Sequence, residues 1–164
     1  PMTNPAGVKR QLIGVFDAAL CKPVAQVLQR LGSEHIMVVH SDDGLDEISL
    51  VGGTSVAELQ GGEIREYRIA PSDFGITEQN LEGLGVADAA DSLALIRDAL
   101  GSRPSDTGRK AADIIALNAG AAIYVSGVAA NLAEGVAMAQ DSIASGLALE
   151  KLDELAAFST LLTD

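Results

Sequence analysis

The sequence predicts an α/β domain: a βαβ unit and an edge hairpin share a mixed sheet, and the C-terminal half is helical. Three observations carry this class. Two short apolar runs, Gln11-Leu12-Ile13-Gly14-Val15-Phe16 and His35-Ile36-Met37-Val38-Val39-His40, flank a segment with helical spacing. Two further strand-like stretches meet at Gln60-Gly61-Gly62, a turn suited to a hairpin. From Pro71 onward the apolar period is helical.

The opening PMTNPAGVKR is a turn-rich lead with two prolines, and Gln11 to Phe16 forms the first strand. Lys22 to Leu31 places Val24, Val27, Leu28 and Leu31 on one face, tolerates Pro23 in the first turn and stops at Gly32. His35 to His40 is the second strand; a strand, helix and strand in this order give parallel neighbours. After the acidic stretch Ser41 to Asp46, Glu47-Ile48-Ser49-Leu50-Val51 reads as a strand, as do Thr54 to Leu59 and Glu63 to Ile69. The last of these alternates poorly and is expected at a solvated edge. Helices follow over Val86 to Leu100, Asp106 to about Gly127, and Leu132 to about Leu162. Gly101-Ser102-Arg103-Pro104 breaks the first from the second, and Ser105 or Asp106 can cap the second.

The chain has 164 residues, 48% of them hydrophobic and 21% charged, which supports one packed domain and excludes intrinsic disorder. A net charge of -12 opposes a phosphate backbone, so nucleic-acid binding is not expected. Ile114 to Ala133 is a run of twenty residues without a formal charge, long enough to cross a bilayer. Asn118, Ser126 and Asn131, with Gly120 and Gly127, make it too polar for an unaided span, so a buried helix is expected and no membrane partner. No secretory signal opens the chain, and the single Cys21 cannot form an internal disulfide; a reducing, cytoplasmic setting fits.

The acidic loop His40-Ser41-Asp42-Asp43-Gly44-Leu45-Asp46-Glu47 leaves the C-terminal end of an apolar strand, where open α/β sheets bind ligands. Its four carboxylates within six residues suit a hard cation such as Mg²⁺, although a solvated acidic turn is the bland alternative. His40 is either a general base or a structural hydrogen-bonding group, and His35 offers less. Cys21, at a helix start, reads as a small buried hydrophobe. Ala116 to Tyr124 reads as a helix-packing surface instead of a ligand lining. Lys9, Arg10, Arg109 and Lys110 could meet an anion or simply solubilise the surface. Neither G-x-G-x-x-G nor G-x-x-x-x-G-K-[ST] occurs, so a phosphate-cradling loop is missing from this sequence.

The segments TNPAGVKRQLIGVF, VVHSDDGLDEISL, SDFGI, ALNAGAAIYVSG and SIASGLALEKLDEL occur in that order. Together they resemble the anthranilate phosphoribosyltransferases of tryptophan biosynthesis, with DGLDEIS on an apolar strand as the most specific element. The resemblance implies a fold shared with the C-terminal domain of pyrimidine nucleoside phosphorylases, of which 1–164 is a single, partial α/β domain. The family's helical N-terminal domain, its G-T-G-G-D diphosphate loop and its K-H-G-N segment are not in this sequence. The start at Pro1 falls within the family's G-P-L-x-N-P-A segment, with Met2 in place of the usual Leu, so the chain is expected to be part of a longer protein.

The implied activity is transfer of a phosphoribosyl group from phosphoribosyl pyrophosphate to the amine of anthranilate, with release of diphosphate. The implied cofactor is Mg²⁺, and Asp46 and Glu47 match the family's paired metal carboxylates. Pro1 matches a proline lining the anthranilate channel. The resemblance further implies a homodimer in the full-length form and an inactive chain when taken alone. A pyrimidine nucleoside phosphorylase-like enzyme and a non-catalytic paralogue are the alternatives.

Overall fold

A computed structural model describes residues 6–161 of the protein. The four strands are β1 (Arg10–Gly14), β2 (His35–Ser41), β3 (Thr54–Gln60) and β4 (Glu63–Ile69), hydrogen-bonded in the order β1-β2-β3-β4. The first pair is parallel and the other two antiparallel, so the sheet is mixed. Helix α1 (Cys21–Arg30) makes the parallel crossover. The Gln60-Gly61-Gly62 turn closes the hairpin with both glycines at positive φ, a conformation that residues with a Cβ avoid. Strand β4 is an edge whose charged residues Glu63, Arg65, Glu66 and Arg68 discourage further pairing.

Among the described residues four α-helices follow: α2 (Ala89–Ala99), α3 (Asp106–Ser126), α4 (Leu132–Ala144) and α5 (Leu147–Thr160). The sheet separates two cores. On one face Ile36, Val38, Ala57 and Leu59 pack with Ala25 and Leu28 of α1. On the other, Met37, Val39 and Val56 pack with Leu117, Ala121 and Val125 of α3 and with Val136 of α4. This is the alternation of strand side chains that a continuous apolar run buried on both faces produces.

Ser105 caps α3 by accepting the Gly108 amide at 3.0 Å. At the other end Gly127, at φ +87, stops the helix, and the Arg10 guanidinium donates to the Val125 carbonyl at 3.3 Å. The uncharged run is therefore divided between α3 and α4. Among the described residues no helix is long and apolar enough to cross a membrane. Glycines bring α3 and α4 together: a Cβ on Gly120 would sit 2.5 Å from the Val136 Cα, and one on Gly135 would strike the Gly120 carbonyl. The small-residue stretch of α3 is thus a packing surface.

Three sequence expectations are corrected. Glu47 to Val51 is not a strand: Ile48 and Leu50 are buried as its alternation suggests, but Ser49 between them is buried too. Its backbone groups bond to the Asn118 side chain, to Thr54 Oγ1 and to the Gln79 amide, so they are satisfied without a ladder. The expected helix from Leu132 to about Leu162 is two, because Gly146 adopts φ +82 at the junction of α4 and α5. Strand β1 ends at Gly14, two residues before Phe16.

Candidate metal centre

The acidic loop begins where β2 ends, at the carboxyl edge of the parallel pair. A local turn starts it: Ser41 N–H donates to the Leu45 carbonyl at 3.0 Å, and Gly44 takes φ +92 to let the chain reverse. Asp42 N–H donates to the Gly53 carbonyl at 2.9 Å and closes the loop onto the start of β3. Arg68 of β4 reaches over this closure, pairing with the Asp42 carboxylate and donating to Ser55 Oγ at 3.1 Å. Gly53 has no Cβ where that guanidinium lies.

Two of the four carboxylates are already engaged, one by β4 and one within the loop. Asp42 is the partner of Arg68. Asp43 accepts from the hydroxyl of Ser49 at 2.6 Å, from the hydroxyl of Ser41 and from the Leu45 amide. Partial burial alone would raise the Asp43 carboxyl, but these donors outweigh it and hold it below its ordinary value near 3.8. The sign follows: a carboxyl lowered by folding adds stability above the unfolded value, and that stability is lost as pH falls through the folded one. Asp43→Asn should therefore lower stability at pH 7 by about 1 kcal/mol, allowing for solvent exposure, with the gap closing below about pH 3.8. Urea unfolding at about pH 7 and about pH 3 checks this; an equal loss at both would contradict it.

Asp46 and Glu47 differ from their neighbours. Both are exposed, and neither carboxylate takes a hydrogen bond or ion pair from a described residue. Desolvation first, and then the charge of Asp46, push the Glu47 carboxyl above its ordinary range. Two uncompensated oxygen donors that repel one another form an environment that a divalent cation would relieve. Among the described residues no group of three or more His, Cys, Asp or Glu could hold a metal. The donor set is therefore a platform and not a cage, which suits Mg²⁺, an ion that keeps water and takes one or two carboxylates plus substrate phosphates.

The backbone carrying this pair is fixed from two sides. The Asp46 carbonyl packs against Gly14 so closely that a Cβ there would lie 2.5 Å from its carbon. Asn118 of α3 accepts the Ile48 N–H at 3.0 Å and donates to the Ile48 carbonyl at 2.9 Å. Sequence reasoning missed both residues as parts of the site. Their signals were present: a glycine inside an apolar strand marks close backbone approach, and Asn118 is an amide within a long uncharged helical run.

The other candidates have structural work. His40 Nδ1 lies 2.8 Å from the Val15 carbonyl and ties β2 to the end of β1. His35 Nε2 is 2.8 Å from Glu58 Oε1, inside the core, and Tyr67 donates to Glu58 Oε2 at 2.9 Å. Cys21 is buried at the start of α1, where burial pushes its thiol above the ordinary value and disfavours the thiolate. Arg10 caps α3 and pairs with Glu34 at 3.7 Å. A cavity of about 650 Å³ opens between residues 75–79 and the start of α3, lined in part by Arg109 and Lys110. Arg109 pairs with Asp106, and Lys110 donates to Asn80 at 3.0 Å and to the Glu82 carbonyl at 2.8 Å, so both cations there are engaged. Pro1 lies outside the described residues.

Residues 1–149 match the profile of the glycosyl transferase family, a/b domain. The chain belongs to that family. Within this glycosyl transferase a/b domain family it is 67% identical over 162 residues to an anthranilate phosphoribosyltransferase of Cellvibrio japonicus, covering 99% of this chain and 47% of that protein. The crystal structure of the anthranilate phosphoribosyltransferase of Thermus thermophilus superimposes with a TM-score of 0.83 at 36% identity, over 95% of this chain and 45% of that one. The anthranilate phosphoribosyltransferase of Saccharomyces cerevisiae in complex with PRPP and Mg superimposes with a TM-score of 0.72 at 27% identity, over 87% of this chain and 40% of that one. The chain spans about half the length of the curated relatives it matches.

Proposed function

We propose that this chain is the metal-bearing part of an anthranilate phosphoribosyltransferase. The full-length protein transfers phosphoribosyl from phosphoribosyl pyrophosphate to the anthranilate amine, as a step of tryptophan biosynthesis in the cytoplasm. The observation that carries the reading is the free pair Asp46 and Glu47 on an otherwise internally satisfied loop, in a chain 67% identical to a relative of that name. In the transfer, the amine nitrogen forms a bond to the anomeric carbon as the carbon–oxygen bond to diphosphate breaks. The amine sheds its proton and diphosphate carries away the electron pair.

The residues of this chain serve that step by position and charge. Asp46 and Glu47 would hold Mg²⁺, which supplies neutralisation of the negative charge developing on the departing diphosphate. Asp43, Arg68 and Gly14 keep the loop in one arrangement, so little reorganisation accompanies binding. His40, fixed to the Val15 carbonyl, sets where β1 ends relative to the loop. Pro1 would line the anthranilate channel. The groups that cradle the anionic donor belong to the rest of the protein, because this chain carries a charge of -12 and no glycine-rich phosphate motif. The full-length enzyme is a homodimer in this reading, and the chain alone is inactive.

The test is the loss of anthranilate fluorescence with phosphoribosyl pyrophosphate and Mg²⁺, for this chain and for the full-length polypeptide that contains it. Turnover in the full-length protein only is the expected result. A folded full-length protein that binds neither substrate would instead mark a non-catalytic paralogue.

A further inference from the structure

We propose that Asn118 is a positioning residue of the metal centre, directing the Glu47 carboxylate from α3. The inference rests on the reading of Asp46 and Glu47 as Mg²⁺ ligands. Where a carboxylate points depends on the two peptide units that flank its Cα. For Glu47 these are the Asp46–Glu47 and Glu47–Ile48 units, and each is held by a different element. The first presents the Asp46 carbonyl to the bare Cα of Gly14, at the end of β1. The second presents the Ile48 N–H to Asn118 Oδ1 at 3.0 Å.

The Asn118 amide is itself locked. Its Nδ2 donates to the Ile48 carbonyl at 2.9 Å and to the Ile114 carbonyl, one turn back in α3, at 3.0 Å. With two carbonyls on one side of the amide and an N–H on the other, only one orientation satisfies all three bonds. Ile48 is thereby held on both its backbone groups, and its side chain is buried in the core beneath. No strand ladder does this work, since residues 47–51 lie outside the sheet. A single side chain thus substitutes for sheet pairing beside the proposed ligands. Outer groups that orient metal ligands typically change metal affinity about 10- to 100-fold when removed.

The test is Mn²⁺ binding to the full-length protein, followed by electron paramagnetic resonance with phosphoribosyl pyrophosphate present and anthranilate omitted. Asn118→Ala should weaken Mn²⁺ binding about tenfold or more, and Asn118→Leu, which keeps the volume without the hydrogen bonds, should do the same. Val136→Ala removes volume from the same core while leaving the Asn118 hydrogen bonds in place and serves as the stability control; it should leave Mn²⁺ affinity unchanged. Retained affinity in both folded Asn118 variants, while Asp46→Asn loses it, would overturn the positioning role. So would an equal loss in Val136→Ala, which would make the effect one of stability alone. Retained affinity in both Asp46→Asn and Glu47→Gln would instead remove the ligand reading on which the inference stands.

Discussion

Replacing Gly14 by alanine should destabilise the protein by about 3 kcal/mol, the upper end for overpacking, and lower its melting temperature by roughly 6–12 °C. The size of the effect comes from what the new methyl would meet. Its neighbour is the backbone of Asp46, which cannot rotate away as a side-chain tip could. To make room, the loop must withdraw from β1, carrying with it the Asp46–Glu47 peptide unit. The variant should therefore also raise the Mg²⁺ concentration needed for half-maximal turnover in the full-length protein. Gly52→Ala is the matched control: it lies in the same loop, has no left-handed φ, and an added Cβ meets nothing within 4 Å. Thermal unfolding of the two variants checks the claim. Equal melting temperatures would show that the contact between β1 and the loop carries no such weight.

The second large effect is expected at the crossing of α3 and α4. Gly120→Ala places a methyl 2.5 Å from the Val136 Cα and 2.6 Å from its nitrogen, so the helices must separate. The separation loosens Leu117, Ala121 and Val136 in the core together, and a loss of about 2–3 kcal/mol is expected in urea unfolding. Gly135→Ala pushes against the Gly120 carbonyl at the same crossing and should lose a similar amount. The double variant should lose less than the sum, because one displacement of α4 accommodates both methyls. Strict additivity would mean that the two glycines do not share one contact.

How far the sequence reached differs between fold and site. Strand and helix periods placed β1 to β4 and α1 to α3 within a few residues; the core absorbs the apolar stripes of β2, β3 and α3, whereas β4 and α2 bury only Ile69 and Ala99, and Val27 and Leu31 of the expected α1 face are exposed. The failure at residues 47–51 has a specific cause. Ile48 and Leu50 alternate with Glu47 and Ser49 as in a strand, and burial does follow that alternation at the two apolar positions. What no pattern reveals is where the backbone bonds go, and here those of Ile48 go to a side chain 70 positions away. The break at Gly146 was visible as a glycine, but the apolar spacing continues across it and masked the interruption. At the site, the acidic loop was legible as a cluster of four carboxylates. The cluster could not disclose that Asp42 and Asp43 would be used by Arg68, Ser41 and Ser49 while Asp46 and Glu47 stayed free. That division needed the register of β4 against β3, which brings Arg68 opposite Ser55 and over the loop. The choice of Asp46 and Glu47 came from the family resemblance, and the local chemistry of the loop is compatible with it.

The proposed dependence of phosphoribosyl transfer on a metal held by Asp46 and Glu47 belongs to the full-length protein. It is tested most directly by the Mg²⁺ dependence of anthranilate consumption in full-length Asp46→Asn and Glu47→Gln proteins, with melting temperature measured alongside. Both variants should melt close to the parent, since neither carboxylate has a partner among the described residues, and both should need much higher Mg²⁺ for half-maximal turnover. Unchanged Mg²⁺ dependence in both variants, with both folded, would contradict it.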